Sequence, residues 1–69
     1  MDIKAGMKVT YRTHYKTEKG IVKSIQNDRH AFVVYYCNGD WDNYENYTAA
    51  RTKVEDLEIG WDRDDNDEF

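Results

Sequence analysis

Proline is absent from the 69 residues and cysteine occurs once, at Cys37. Without proline, no slow X-Pro isomerisation is expected in folding. A single cysteine cannot form an internal disulfide, which fits a reducing compartment. No apolar run approaches the ~20 residues of a membrane span. The opening stretch MDIKAGMKV has no apolar centre like that of a signal peptide, so a cytoplasmic location is expected. No phosphate loop, dinucleotide fingerprint or metal-ligand pair can be read. His14 and His30 lie sixteen residues apart in predicted loops with no nucleophile-like turn nearby. Cys37 ends an apolar strand, where a buried, inert thiol is expected. These gaps point away from an enzyme and from any cofactor or metal.

Size limits what remains. A chain this short buries only about 60% of its unfolded surface and gives one small domain. With no covalent or metal staple, aromatic and β-branched side chains must supply the core. The formal charge of −4 conceals an asymmetry: residues 1–39 carry a net +4 and residues 40–69 a net −8.

The richest stretch is Ala31–Tyr47, AFVVYYCNGDWDNYENY, which holds six of the ten aromatic residues. It reads as a long β-hairpin. Ala31 to Cys37 forms an apolar central strand, and Asn38-Gly39 a type I′ turn whose two central residues need positive φ. Trp41 to Tyr47 forms the returning strand. Before it, Met7, Val9 and Tyr11 alternate with Lys8, Thr10 and Arg12 as a first half-buried strand. Thr13–Lys19 is expected as a loop. Gly20–Gln26 comes next as a second strand anchored by Val22 and Ile25, whose spacing calls for a β-bulge or bend around Lys23-Ser24. Asn27–His30 is a turn.

After Tyr47 the chain turns. Thr52-Lys53-Val54-Glu55 fits a capping box, with one helical turn over Lys53–Asp56. Leu57, Ile59 and Trp61 alternate as a short fifth strand. Residues 62–69, DRDDNDEF, have no apolar periodicity and five acidic side chains, and read as a disordered acidic tail. Asp62, Asp64 and Asn66 begin like a calcium loop, but position six is Asp67 in place of glycine and no twelfth-position Glu is present. The expected architecture is therefore all-β: five strands over residues 1–61, one short helical turn before the last strand, then the tail 62–69.

The order of these elements resembles an SH3-like barrel of the Tudor or KOW type. The resemblance runs over roughly residues 6 to 61. It rests on the G-x-K-V-x-Y strand (Gly6 to Tyr11), Gly20-Ile21-Val22, the FVVY strand (Phe32 to Tyr35) and Val54-Glu55-Asp56-Leu57 before the last strand. Gly20 takes the place of the KOW glycine. The stretch NYENYTAARTKVEDLEIGW is also similar to small uncharacterised proteins of tailed phages and bacteria. In Tudor-type barrels, the loops corresponding to the first two strands and to the hairpin approach each other. The resemblance therefore implies that Tyr11, Tyr15, Trp41 and Tyr44 gather as an aromatic cage for a cationic group, with Asp40, Asp42 and Asn43 at its rim. The plain alternative is that these rings fill the core of a small barrel.

Three binding functions are compatible with these residues. A protein-interaction surface would use Tyr15, Trp41, Asp42 and Tyr44, exposed aromatics rimmed by carboxylates. A nucleic-acid surface would use Arg12, Lys16, Lys19 and Lys23, with Lys8, and base stacking on Tyr15 or Trp41. A phage-encoded inhibitor of a host protein would use the same contacts, its acidic residues meeting a basic partner. The acidic overall balance is unlike that of a nucleic-acid module, so a protein partner is the leading expectation. An unpaired strand edge would allow a monomer or a homodimer.

Overall fold

The computed structural model describes residues 3–61, and the acidic stretch 62–69 lies outside the described residues. The fold is all-β. Five antiparallel strands, β1 (Lys8–Arg12), β2 (Thr17–Ile25), β3 (His30–Val34), β4 (Ala50–Lys53) and β5 (Leu57–Ile59), form one sheet. Their spatial order is β4-β3-β2-β1-β5. β4 and β5 are its two edges, with no pairing between them among the described residues, so the strands form one open sheet.

The core lies on one face. Val9, Val22, Ala31, Val33 and Leu57, joined by Ile3, form a buried cluster flanked by Tyr11, Tyr35 and Val54. Strand pairing explains the set: Val22 stands opposite Val33, and Tyr11 opposite Leu57. The opposite face is also covered locally, because Thr10, Ile21 and Val34 are buried as well. Thr10 is tolerated there because its hydroxyl donates to the Gly60 carbonyl at 2.7 Å.

Gly20 sets the spacing of β2 and β3. A Cβ at this position would lie 2.6 Å from Val33 Cγ1, 2.9 Å from the Val34 carbonyl oxygen and 3.0 Å from a Tyr35 ring carbon. Only a residue without a side chain allows β3 this close. Further along, the register between the two strands shifts between Val22 and Ser24. The expected bulge is therefore present, although it does not return Ile25 to the core: Ile25 is 44% exposed, and Ile21 is the second buried anchor of β2.

Several expected boundaries are corrected. The loop after β1 is short, because β2 begins at Thr17. Thr13 organises its tip by accepting the N–H groups of Tyr15 and Lys16 on its hydroxyl. β3 ends at Val34 and not at Cys37. Asn38 and Gly39 do have positive φ, 55° and 81°, and the Asp40 N–H closes the turn on the Cys37 carbonyl at 2.8 Å. The chain beyond that turn does not return as a strand. Trp41–Asn46 is a 3-10 helix kinked at Asn43, so the expected hairpin over Ala31–Tyr47 does not form. The reason is local: Asp40 and Asn43 bond each other through backbone and side chain, and this competes with ladder formation.

The fourth strand lies later, at Ala50–Lys53, pairing with β3 from His30↔Lys53 to Val33↔Ala50. Thr52 is therefore a strand residue and not a helix cap. Its hydroxyl faces Tyr35 Oη at 2.8 Å and donates to the Ala50 carbonyl at 3.2 Å. The expected helical turn is a 3-10 turn at Val54–Asp56 without a side-chain cap. β5 stops at Ile59, where Gly60 turns the chain at φ 93°. Trp61 is thus outside the strand.

Candidate functional site

The two tryptophans, twenty residues apart in sequence, meet on the face opposite the main core. Trp41 opens the 3-10 helix Trp41–Asn46, which packs against β2. Trp61 lies just beyond the Gly60 turn, and its indole Nε1–H donates to the Gly20 carbonyl at 2.9 Å. Their ring centroids lie 5.2 Å apart with planes inclined at 58°, within the range of favourable aromatic pairs. Both rings are half-buried. The arrangement is a fixed aromatic surface held from two sides.

Two lysines approach the same indole. Lys8 Nζ is 4.7 Å and Lys19 Nζ 4.8 Å from the Trp61 ring centroid. The register accounts for this, since Lys8 stands opposite Ile21 and Thr10 opposite Lys19. Side chains alternate faces along a strand, so Lys8, Thr10, Arg12 and Lys19 share one face of the sheet. Sequence alone marks Trp61 as a strand residue and gives no sign of its pairing with Trp41. No periodic signal discloses a contact made through a bend at Gly60.

The residues expected to make one aromatic cage are separated. Tyr15 sits at the tip of the β1–β2 loop, 94% exposed, with its ring against His14. Tyr11 belongs to the core side, in an edge-to-face contact with Tyr35 at 5.8 Å. Tyr44 is half-buried, and a Cβ on Gly6 would lie 3.5 Å from its hydroxyl oxygen. Of the four, Trp41 alone joins the tryptophan pair. Asp42 is exposed beside it in sequence. Asp40 is turned inward to its own segment, accepting from Asn43 Nδ2 at 3.0 Å and from the Tyr47 hydroxyl at 3.2 Å. Partial desolvation, then this bond to Asp40, holds the Tyr47 phenol above its ordinary pKa.

The basic residues are likewise dispersed in their engagements. Arg12 forms a two-pronged ion pair with Glu58, at 2.9 and 3.1 Å. Lys16 lies 3.8 Å from Glu18. Lys23, at the bulge, donates to the Tyr47 carbonyl at 2.8 Å and so ties β2 to the end of the 3-10 helix. Lys8 and Lys19 are the two members of the expected basic set that reach the tryptophans. A concavity lined by Tyr11, Tyr35, Lys16, Glu18, Arg51 and Lys53 among others lies beside the two tyrosines that flank the core. Two of its cations are engaged, Lys16 by Glu18 and Arg51 by the Gln26 side-chain oxygen at 2.6 Å. Burial first, opposed by the Thr52 hydrogen bond, pushes the Tyr35 phenol there above its ordinary pKa.

Among the described residues, no three His, Cys, Asp or Glu side chains gather as a metal-binding group, and no helix is long and apolar enough to cross a membrane. Cys37 is buried as a free thiol. Comparison with family models, with curated proteins and with solved structures gave no match.

Proposed function

We propose that this chain is a non-enzymatic binding module of SH3-like type that engages a protein partner through the surface centred on Trp41. The single observation that carries the reading is the tryptophan pair, two half-buried indoles at 5.2 Å. One of them is fixed by a hydrogen bond to the β2 backbone. Tryptophans held in one orientation offer large contact area with little side-chain entropy left to lose, and such residues dominate protein interfaces. Asp42 and Tyr44 lie on the same 3-10 helix as Trp41. The SH3-like reading is supported by the meander β1-β2-β3-β4 and by β5 returning to β1 after a 3-10 turn.

The test is partner capture by the immobilised full chain, comparing the native sequence with Trp41→Ala and with Asp42→Arg. Asp42 is exposed, so its substitution leaves the fold intact and separates loss of binding from loss of structure. Trp41→Ala is expected to release the captured partner, and Asp42→Arg, which reverses a charge beside Trp41, to change the strength of capture. Undiminished capture by both, with unchanged thermal unfolding of Asp42→Arg, refutes the reading.

Nucleic-acid binding is the second reading, and the observation that favours it is the placement of Lys8 and Lys19 beside Trp61. It requires an affinity that falls steeply with added salt. Absence of binding to single- and double-stranded DNA and RNA at low salt eliminates it.

A further inference from the structure

We infer that the tryptophan surface selects an acidic peptide segment carrying an apolar or aromatic side chain, and not a cationic one; this rests on the protein-binding reading above. An indole face attracts a cation placed within about 6 Å of its centroid. On Trp61 that attraction is already satisfied from within the chain, by the ammonium groups of Lys8 and Lys19 at 4.7 and 4.8 Å. A methylated or free lysine from a partner would meet two like charges at the place where it must sit. The surface therefore has the composition of a cation cage but the occupancy of an anion rim.

The two ammonium groups are available to a ligand's carboxylates. Among the described residues neither Lys8 nor Lys19 lies within ion-pair distance of an acidic side chain, whereas Arg12 and Lys16 are matched by Glu58 and Glu18. Asp40, the carboxylate before Trp41, is bound by Asn43 and Tyr47. Lys8 and Lys19 hang from adjacent antiparallel strands whose pairing fixes their spacing. An acidic side chain placed between them would bring its neighbouring residue onto the Trp41–Trp61 rings. Charge complementarity supplies the choice of segment, and the indoles supply the apolar contact.

The engagement of the other cations decides between a peptide and a nucleic acid. A strand of phosphates needs a track of several unengaged cations. Here Arg12, Lys16 and Lys23 are engaged by Glu58, Glu18 and the Tyr47 carbonyl, and the chain carries a formal charge of −4. Two ammonium groups beside two indoles match one or two carboxylates next to an apolar side chain.

The chain contains two tryptophans and both lie in this surface, so intrinsic fluorescence and the indole N–H signals in an NMR spectrum report the site directly. The full chain is titrated with four probes. These are a tryptophan-free peptide of Asp and Glu around one Phe, its Ser/Gln counterpart, its trimethyl-lysine counterpart, and single-stranded oligothymidylate. The acidic peptide is expected to shift both indole signals, with affinity that weakens as salt is raised. The double substitution Lys8→Gln, Lys19→Gln should weaken it by about tenfold or more, without unfolding the protein, because glutamine keeps much of the aliphatic stem. Preferential binding of the trimethyl-lysine or neutral peptide overturns the inference and leaves the protein-binding reading standing. A response to oligothymidylate alone overturns both. Binding of the acidic peptide that the double variant does not weaken also overturns the inference.

Discussion

Replacing Gly20 by alanine probes the closest approach in the sheet. The added methyl would meet Val33 Cγ1 at 2.6 Å, the Val34 carbonyl oxygen at 2.9 Å and a Tyr35 ring carbon at 3.0 Å. Favourable carbon–carbon separations are about 3.5–4.0 Å. The Val33 methyl can turn aside, but the carbonyl is backbone, so β3 must move away from β2. Overpacking of this kind costs about 1–3 kcal/mol. Alanine returns roughly 0.4–1 kcal/mol by restricting the unfolded chain, which leaves a net loss of about 1.3 kcal/mol at the midpoints of the two ranges and at most about 2.6 kcal/mol. Against a total stability of roughly 3–10 kcal/mol at this length, that is a large fraction. It lowers Tm by about 5–15 °C in a domain of this size. Urea and thermal unfolding measured by tryptophan fluorescence report it, and the Trp61 emission should change as well because its N–H bonds the Gly20 carbonyl. A double-mutant cycle isolates the cause. Val33→Ala removes the nearest methyl, so the pair Gly20→Ala, Val33→Ala should be less destabilised than the two singles added together, by about 0.5 kcal/mol or more. The relief is partial, because the Val34 carbonyl stays in place. A Gly20→Ala chain as stable as the native one, or strict additivity in the cycle, refutes the steric argument.

Two further outcomes concern named contacts. The Tyr35 phenol has a folded pKa above its ordinary value of 10.0, from burial. The native state therefore prefers the neutral phenol: its stabilising contribution is complete below pH 10 and is lost as pH rises through the raised folded pKa. Tyr35→Phe should flatten that alkaline loss in pH-dependent urea unfolding, and at neutral pH should cost about 0.5–1.5 kcal/mol for the bond to Thr52; an unchanged alkaline limb refutes the assignment. Arg12 and Glu58 are side-chain-exposed at 41% and 54%, so their double-mutant coupling should not exceed about 1 kcal/mol and should shrink in high salt. A larger, salt-insensitive coupling would contradict the view of this pair as solvated.

The sequence signals that match the fold are short-range and periodic. Alternation at Lys8–Arg12 marks β1, three-residue spacing at Val22 and Ile25 marks the bulge, and Leu57–Ile59 marks β5. Asn38-Gly39 announces positive φ, and both residues have it. The inference from turn to hairpin fails because Trp41–Asn46 has no clean alternation and is rich in Asp and Asn. Such side chains offer the backbone local partners, and Asp40 with Asn43 takes that option. The true fourth strand, Ala50–Lys53, has one buried residue in four. An edge strand with so little to bury leaves almost no hydrophobic pattern to read. The site is half legible: Trp41 and Lys19 stand out in the sequence, but Trp61 reads as part of the sheet. Its contact with Trp41 depends on the Gly60 bend and on the Gly20 carbonyl, which are tertiary facts. Arg12, Lys16 and Lys23 carry a charge pattern that suggests phosphate contact until their individual partners are known.

The open sheet also bears on how this chain survives at high concentration. Exposed strand edges template the addition of further chains, and a sheet that does not close keeps two of them. Here β4 is four residues long and carries Arg51 and Lys53, while β5 is three residues long with Glu58 at its centre. Each edge is too brief to register a growing stack, and a like-oriented copy would bring equal charges together. The two shortest strands of the molecule are thus the ones left at its edges, and lengthening either with uncharged β-branched residues is expected to favour edge-to-edge addition of further copies.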